Sequence, residues 1–250
     1  MLDKLSLKDY VGDFNAYQTE KDYLQHIVLW RIYQSISDEL IFKGGTALQK
    51  AYNTGRFSED LDFTASSEAQ KDTGALTAKI DSILNKINDF YKTSYTKSSS
   101  DISLSYKLKM EGPLYEKPQS IQTILLDISA REQIILKPDT IPISPVYMDI
   151  GNYVVKVMNK EEILAEKVMA IMTRRKARDM YDIYFLVSKK VRLRPELAEE
   201  KLSYYQMKYS KKAFISRLSQ LEAVWETELH SLIKNVPPFK PVLKYITDAI

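Results

Sequence analysis

The sequence contains no cysteine and only two histidines, His26 and His230. Without cysteine, a disulfide-stabilised scaffold, a cysteine-ligated zinc site and a thiol nucleophile are all excluded. Two histidines are also too few for a histidine-rich metal site, so any bound metal must be held mainly by oxygen ligands. Seven glycines and nine prolines among 250 residues exclude a collagen-like or low-complexity chain.

Long apolar runs are missing as well, since no stretch approaches the roughly 18 residues needed to span a bilayer. The N-terminal residues include both acids and lysines and no apolar core, so we expect neither a signal peptide nor a membrane segment. We therefore expect a cytoplasmic protein. Hydrophobic residues make up 44% of the chain and aromatic residues 11%, which excludes a mostly disordered protein and allows a sizeable core.

The formal net charge of +3 is distributed unevenly along the chain. Residues 151–250 contain 19 lysines and arginines against 12 acidic residues, whereas residues 1–150 contain 17 against 21. An acidic first part suits metal-binding carboxylates, and a basic second part suits a surface that binds a polyanion. Solvated, lysine-rich helix faces would produce the same balance, so charge alone does not decide between the two interpretations.

Hydrophobic periodicity predicts an α/β domain over residues 1–155, followed by a helical domain over residues 156–250. The first domain is predicted to begin with an amphipathic helix over 18–39, a strand over 40–42 and a helix that opens at Thr46. Further strands are predicted over 61–64, 103–110, 121–128, 134–136 and 153–158, and a further helix over 68–92. Three prolines, Pro138, Pro142 and Pro145, predict a loop.

The segment Phe42–Phe63 carries the first chemical signal. Gly44 and Gly45 allow turn geometry and the close approach of a bulky anion. Thr46 lies where a helix begins, so its hydroxyl and the unpaired backbone N–H groups there can bind phosphate. By itself, Gly-Gly-Thr is a weak signal, because an ordinary strand-to-helix turn accounts for it more often than a phosphate site does.

Asp60 and Asp62 are two residues apart on a predicted strand, so both carboxylates should point to the same face. Like charges that close repel each other unless a cation lies between them. Mg²⁺ takes oxygen ligands of this kind and usually keeps nucleotide phosphates as further ligands. A lone Asp-x-Asp also occurs on strands that face solvent, but its position about 15 residues after Gly-Gly-Thr makes the combination more specific.

The segment Glu161–Leu186 carries the second signal. Lys167 lies among apolar residues of a predicted helix, either as an amphipathic stem with its ammonium in solvent or as a phosphate ligand. Four cations follow within five residues: Arg174, Arg175, Lys176 and Arg178. Asp179 and Asp182 then share one face of the next helix. A pair of helices joined by salt bridges would account for the same pattern.

Together these motifs resemble the AbiEii family of bacterial nucleotidyltransferase-like toxins, which belong to type IV toxin–antitoxin and abortive-infection systems. The matching patterns are Gly-Gly-Thr, the block Arg56–Phe63 (RFSEDLDF), the lysine-bearing helix and Arg-Asp-x-x-Asp at Arg178–Asp182. The resemblance extends in order over about residues 20–190, and the Arg56–Phe63 block is its most specific part. It implies an α/β (α+β) fold with a polymerase-β-like nucleotidyltransferase core and a helical C-terminal region.

The resemblance also implies roles for individual residues. Gly44, Gly45 and Thr46 would hold the triphosphate, and Asp60 and Asp62 would hold Mg²⁺. Lys167 would contact phosphate, and Asp182, with Asp179 as its neighbour, would form the last acidic motif. Such folds usually add a third carboxylate to the metal site, for which Asp127 is the first candidate and Asp149 the weaker one.

The function implied by the resemblance is Mg²⁺-dependent transfer of a nucleotide from an NTP to an RNA acceptor. Some MenT-type members use tRNA 3′ ends as the acceptor, so the resemblance implies a tRNA acceptor here and a cognate antitoxin that neutralises the toxin. We expect the basic run at 174–178 to hold the RNA. Two alternatives stay open: a non-catalytic NTP-binding module that senses GTP, and a helical interaction protein.

Overall fold

The computed structural model describes residues 1–250, which form two compact units. Unit 1 consists of Met1–Tyr52, Phe57–Ile134 and Pro138–Val157. Unit 2 consists of Asn53–Arg56, Ile135–Lys137 and Met158–Ile250.

Unit 1 is built from five helices and seven strands. The helices are α1 (Lys4–Leu7), α2 (Ala16–Ser35), α3 (Gly44–Tyr52), α4 (Ser67–Gln70) and α5 (Thr73–Ile87). The strands are β1 (Leu40–Lys43), β2 (Leu61–Ala65), β3 (Thr93–Ser100), β4 (Ser103–Met110), β5 (Gln122–Ser129), β6 (Asp139–Ile143) and β7 (Tyr153–Val157). Short 3-10 turns occupy Lys8–Tyr10 and Pro118–Ser120.

The seven strands form one mixed sheet in the order β3-β4-β5-β2-β1-β7-β6. β2 pairs with β5 in parallel, as does β1 with β7, and the remaining pairs are antiparallel. The predicted α/β fold class is therefore confirmed. Several boundaries differ from the prediction: the first long helix is Ala16–Ser35, and the helix predicted over 68–92 is two helices, α4 and α5. Two further differences bear on the candidate site. The helix after β1 begins at Gly44 instead of Thr46, and β2 begins at Leu61, so Asp60 precedes the strand.

Two strands were not predicted, and one predicted strand is absent. β3 has the sequence TSYTKSSS and is largely exposed, so it shows no apolar alternation; it is formed by pairing with β4 along its full length. β6 contains Pro142, which sequence analysis placed in a loop, but an edge strand tolerates a proline because its outer N–H groups need no partner. Residues 134–136 do not form a strand.

The core of unit 1 lies on one face of the sheet, under α2 and α5. Alternate residues of β4 and β5 point into it, and the residues between them point to the opposite face. On that opposite face the centre of the sheet carries half-buried polar side chains instead of a second apolar layer.

Helix α2 differs from its prediction as an amphipathic helix, because it is buried on all sides from Thr19 to Leu29. Besides Thr19, five charged or polar side chains are buried on it: Glu20, Lys21, Asp22, Gln25 and His26. Buried polar groups are tolerated when they are hydrogen-bonded, and each of these contacts a neighbouring segment of unit 1. The polar side of α2 therefore anchors loops instead of facing solvent.

Unit 2 contains six helices: α6 (Lys160–Thr173), α7 (Ala177–Ser188), α8 (Pro195–Ser203), α9 (Lys211–Ser219), α10 (Trp225–Leu229) and α11 (Phe239–Ala249). Helix α6 is central and packs against α7, α8 and α9. None of the helices in either unit is both long and apolar enough to cross a membrane.

A buried ion pair joins α8 to α6. The ammonium of Lys201 lies 2.6 Å from Glu162 Oε1 and 3.4 Å from Glu166 Oε1, and both Lys201 and Glu162 are inaccessible to solvent. Glu162 also accepts the backbone N–H groups of Ile135 and Leu136 at 3.1 and 2.9 Å. One carboxylate thus ties the 135–137 segment and α8 to α6.

We expect Lys201→Ala to lower the free energy of unfolding by about 3–5 kcal/mol, because it leaves the buried Glu162 carboxylate without its cation. Urea denaturation measures the loss. Lys208→Ala is the control, since Lys208 is exposed, and it should change stability by less than about 0.5 kcal/mol. Equal stabilities of the two variants would contradict the structural role of Lys201.

Candidate active site

Four side chains form a row on the face of the unit 1 sheet that points away from the core. Lys43 is opposite Asp62, Asp62 is opposite Asp127, and Asp127 is opposite Ser105, on strands β1, β2, β5 and β4. Residues directly opposite each other point to the same face, and neighbouring strands lie about 4.8 Å apart. The carboxylates of Asp62 and Asp127 are therefore side by side and half-buried.

Each end of the row supplies a polar contact. The Ser105 hydroxyl donates a hydrogen bond to Asp127 Oδ1. At the other end, the Lys43 ammonium contacts Glu132 Oε2 at 2.5 Å. Ser105 thereby fixes the Oδ1 atom of Asp127. The other carboxylate oxygen, Oδ2, is the atom to which a chemical role can be assigned.

Gly44 brings the start of α3 against Asp62. Its φ of +73° lies in the left-handed region that favours glycine. A Cβ atom at this position would lie 2.5 Å from Asp62 Oδ2, which is closer than real Cβ contacts come. Only glycine therefore permits both the turn and the approach of the helix start to the carboxylate.

Thr46 connects α3 to the segment before β2. It is fully buried, and its hydroxyl donates to the backbone carbonyl of Asp60. The Thr46 hydroxyl, which the sequence analysis assigned to a phosphate, therefore donates its hydrogen bond within the protein. The backbone N–H groups at the start of α3 still point outward from the helix N-terminus. Asp60 immediately precedes β2, so the part of the prediction that placed it within the strand is wrong, while its predicted position on the face of Asp62 stays a prediction.

The carboxylates of Asp62 and Asp127 suit a magnesium ion that also binds a nucleotide better than a magnesium ion bound by protein groups alone. No group of three or more aspartate, glutamate or histidine side chains is arranged to hold a metal. Mg²⁺ is usually bound by one or two carboxylates together with substrate phosphates and water, and Asp62 with Asp127 matches that donor set. Asp149 lies outside the row: it accepts the Tyr23 hydroxyl at 2.7 Å and contacts the N-terminal amino group at 3.2 Å.

A second set of charges lies within unit 2 and contains the remaining predicted site residues. The Lys167 ammonium contacts Asp179 at 2.9 Å and Asp182 at 2.8 Å. Arg56 binds Asp182 with two hydrogen bonds of 2.6 and 2.7 Å, and Arg174 binds Asp179 with two of 2.8 and 3.0 Å. Three cations and two fully buried carboxylates thus alternate along one chain of ion pairs, which we name the α6–α7 ion network.

Burial and charge oppose each other in the α6–α7 ion network. Burial by itself would raise the pKa values of Asp179 and Asp182, but the cations beside them outweigh it and hold both pKa values below the usual range. Burial would lower the pKa of Lys167, yet the two carboxylates raise it. All three groups are therefore charged at neutral pH.

The structure supports the helix-pair interpretation of this segment that sequence analysis left open. Lys167 contacts two carboxylates. Of the cations in the basic run, Arg174 binds Asp179, the Arg175 guanidinium donates to the Gln220 carbonyl, and the Lys176 ammonium lies 3.7 Å from Glu228. Part of the basic run, which was predicted to hold RNA, therefore binds groups within the protein.

Sequence reasoning missed Lys43 and Ser105 as members of the row, and Arg56 as the partner of Asp182. A signal existed only for Ser105, because the alternation of β4 and β5 places both Ser105 and Asp127 on the face away from the core. Neither the strand register nor the ion pair of Arg56, formed across 126 residues, can be read from spacing along the chain.

Comparison with known proteins supports this architecture. A family model described as "Nucleotidyl transferase AbiEii toxin, Type IV TA system" matches residues 28–246. The solved structure of MenT4, a nucleotidyltransferase toxin from Mycobacterium tuberculosis H37Rv, is similar with a TM-score of 0.66 and 17% identity, covering 100% of this chain and 88% of that one. JHP933 from Helicobacter pylori has a TM-score of 0.58 and 18% identity, covering 94% and 91%. A comparison with curated proteins gives no match.

We expect Gly44→Ala to destabilise the protein more than Gly55→Ala. Both glycines have positive φ values, +73° and +72°, so both variants carry about 1–3 kcal/mol of backbone strain. Only at Gly44 does the added methyl group meet a neighbour, the Asp62 carboxylate, whereas nothing lies within 4 Å of the Cβ position at Gly55. Thermal denaturation of both variants measures the difference, and equal losses would contradict the close approach.

Asp182→Asn should lower stability at pH 7 by about 3–5 kcal/mol, because it leaves Arg56 and Lys167 with a neutral partner. Burial would raise the pKa of Asp182, but Arg56 and Lys167 hold it below its ordinary value of 3.8, so its contribution is fully present above about pH 4 and declines as the pH falls toward the folded-state value. Urea denaturation between pH 7 and pH 3 should show a difference that is constant down to about pH 4 and narrows below it. A constant difference over this range would contradict the assignment.

Proposed function

Because the chain belongs to the AbiEii family of nucleotidyl transferase toxins of type IV toxin–antitoxin systems, we propose that it transfers a nucleotide from an NTP to an RNA acceptor. The observation that carries this proposal is the pair Asp62 and Asp127, placed side by side next to the glycine-opened start of α3. We take the 3′ end of tRNA as the acceptor, a cognate antitoxin as the protein that restrains the activity, and the cytoplasm as its location.

The start of α3 supplies the triphosphate site. The backbone N–H groups of Gly44, Gly45 and Thr46 have no partners within the helix, and the helix dipole makes this end positive. A phosphate is the ligand that such an end binds, and Gly44 allows it to come close to Asp62.

Asp62 and Asp127, the pair that the sheet sets in register, are the residues that would hold Mg²⁺. When bound with the nucleotide, the ion would neutralise phosphate charge and favour departure of pyrophosphate.

Nucleotide transfer requires little covalent chemistry from the protein itself. The acceptor hydroxyl forms a bond to the α-phosphorus of the NTP, and the bond from that phosphorus to the bridging oxygen breaks to release pyrophosphate. We assign the hydroxyl proton to Asp127 Oδ2, because Oδ1 already accepts the hydrogen bond of Ser105.

For Lys167 we propose a structural role within unit 2, because its buried ammonium is already held by Asp179 and Asp182. We assign contact with the RNA phosphates to the helical region, residues 156–250, through Arg175 and Lys176, whose side chains are exposed.

Incubation of the protein with bulk tRNA, Mg²⁺ and each α-³²P-labelled NTP tests the proposal. We expect label on the RNA with the natural protein, and a loss of at least on the order of 10²-fold in rate for Asp62→Asn and Asp127→Asn, since each removes charge from the site at which charge develops. Asp89→Asn, at an exposed aspartate, is the matched control and should keep full activity.

Two outcomes would contradict the proposal. Full activity of both site variants would remove the carboxylate pair from the mechanism. Binding of an NTP without label on any RNA would favour the alternative of a nucleotide-sensing module.

A further inference from the structure

We propose that Gln25 and Gln49 are positioning residues for nucleotide transfer, because together they hold the segment Ser58–Asp60 that leads into the carboxylate row. The inference rests on the proposed function for its kinetic consequence. Its structural basis lies entirely within unit 1.

The segment Ser58–Asp60 lies outside the sheet, so side chains take the place of strand partners. Gln25 Nε2 donates to the carbonyls of Ser58 and Glu59 at 3.0 and 2.8 Å. The backbone N–H of Ser58 donates to Gln49 Oε1 at 2.8 Å. With the hydrogen bond from Thr46 to the Asp60 carbonyl described above, three consecutive residues are held by side chains of α2 and α3.

Gln25 keeps this position at a cost in stability. It is inaccessible to solvent, yet its Oε1 atom accepts no hydrogen bond. A buried acceptor without a partner is unfavourable, and an apolar side chain of similar size would remove the penalty. The two hydrogen bonds that its Nε2 donates to the segment are the feature an apolar residue could not supply.

Gln49 is oriented by Asp22. Its Nε2 donates to Asp22 Oδ1 at 2.9 Å, which directs Oε1 toward the N–H of Ser58. Asp22 is itself held by the Lys50 ammonium at 2.7 Å and the Tyr147 hydroxyl at 2.8 Å. The amide of Gln49 has only one favourable orientation in this setting, because the reversed amide would place an oxygen against Asp22 and an N–H₂ against the N–H of Ser58.

Glutamine at both positions thus fixes the backbone immediately before Asp60 and β2. A displacement of about 1 Å in a catalytic group can reduce the rate on the order of 10²-fold. Because neither glutamine is part of the start of α3, the effect should fall on the chemical step more than on NTP binding.

The first experiment compares Gln25→Leu and Gln49→Leu with Gln122→Leu. Gln122 is a fully buried glutamine of unit 1, as Gln25 is. Its side chain donates to the Tyr17 carbonyl and to Glu20 instead of to the 58–60 segment. Amide hydrogen exchange over residues 57–60 should accelerate on the order of tenfold in the first two variants and not in the control. In the same two variants kcat should fall between about 10-fold and 10²-fold, with the KM for NTP nearly unchanged.

The second experiment reverses the polarity of the Gln49–Asp22 contact. Gln49→Glu sets two carboxylates against each other and should reduce kcat as strongly as Gln49→Leu. Asp22 keeps its charge in this test, because its Oδ1 also accepts the buried Lys50 ammonium at 2.7 Å. Full kcat together with slow exchange over 57–60 in Gln49→Glu would contradict the positioning role of the Gln49 amide.

Binding of Mn²⁺ in the presence of a non-hydrolysable NTP analogue, followed by electron paramagnetic resonance, separates this inference from the proposed function. If the natural protein transfers no nucleotide, weaker Mn²⁺ binding in Gln25→Leu and Gln49→Leu than in Gln122→Leu would still support the positioning role. Unchanged exchange over 57–60, or faster exchange with unchanged kcat and Mn²⁺ affinity, would overturn it.

Discussion

Asp62 and Asp127 meet because β2 and β5 pair in parallel in a single register. A shift of one residue would turn one strand's side chains to the other face, so that one carboxylate would enter the core and apolar residues would be exposed. Leu61, Phe63, Leu126 and Ile128 are all buried on the core face, and their burial resists that shift. The apolar face of the sheet thus determines the geometry of the polar face. Burial of the apolar side chains on the core face offsets the electrostatic repulsion between the two carboxylates.

The second constraint is the burial of α2 on all sides. A helix in this position could be apolar throughout, but its polar side chains instead hold segments that lie outside the sheet. Glu20 accepts the N–H of Leu114, and Asp22 holds Lys50 of α3. Gln25 binds the 58–59 backbone. The site therefore depends on a core helix for its loop geometry, and loops that carry function are positioned by a rigid scaffold in this way.

The α6–α7 ion network accounts for Arg56 at the start of the Arg56–Phe63 block and for both aspartates of the Arg178–Asp182 motif. Arg56 and Lys167 share Asp182, and Lys167 and Arg174 share Asp179. In a buried network each carboxylate has two cations, so removing one member leaves the others poorly compensated. A network of this kind fixes the orientation of Lys167, whether or not it adds to the net stability of unit 2.

Local patterns in the sequence were sufficient for the fold class and the central strands, because apolar alternation and helical periodicity are properties of neighbouring residues. β3 and β6 escaped prediction, since a polar edge strand and a proline-containing one form only through pairing with β4 and β7. Tertiary structure alone decided that Asp62 lies beside Asp127, that Lys167 contacts two aspartates and that Gln25 and Gln49 hold the approach to Asp60. Each of these contacts joins residues far apart in the chain, and their partners are selected by strand register and burial, which no local spacing encodes.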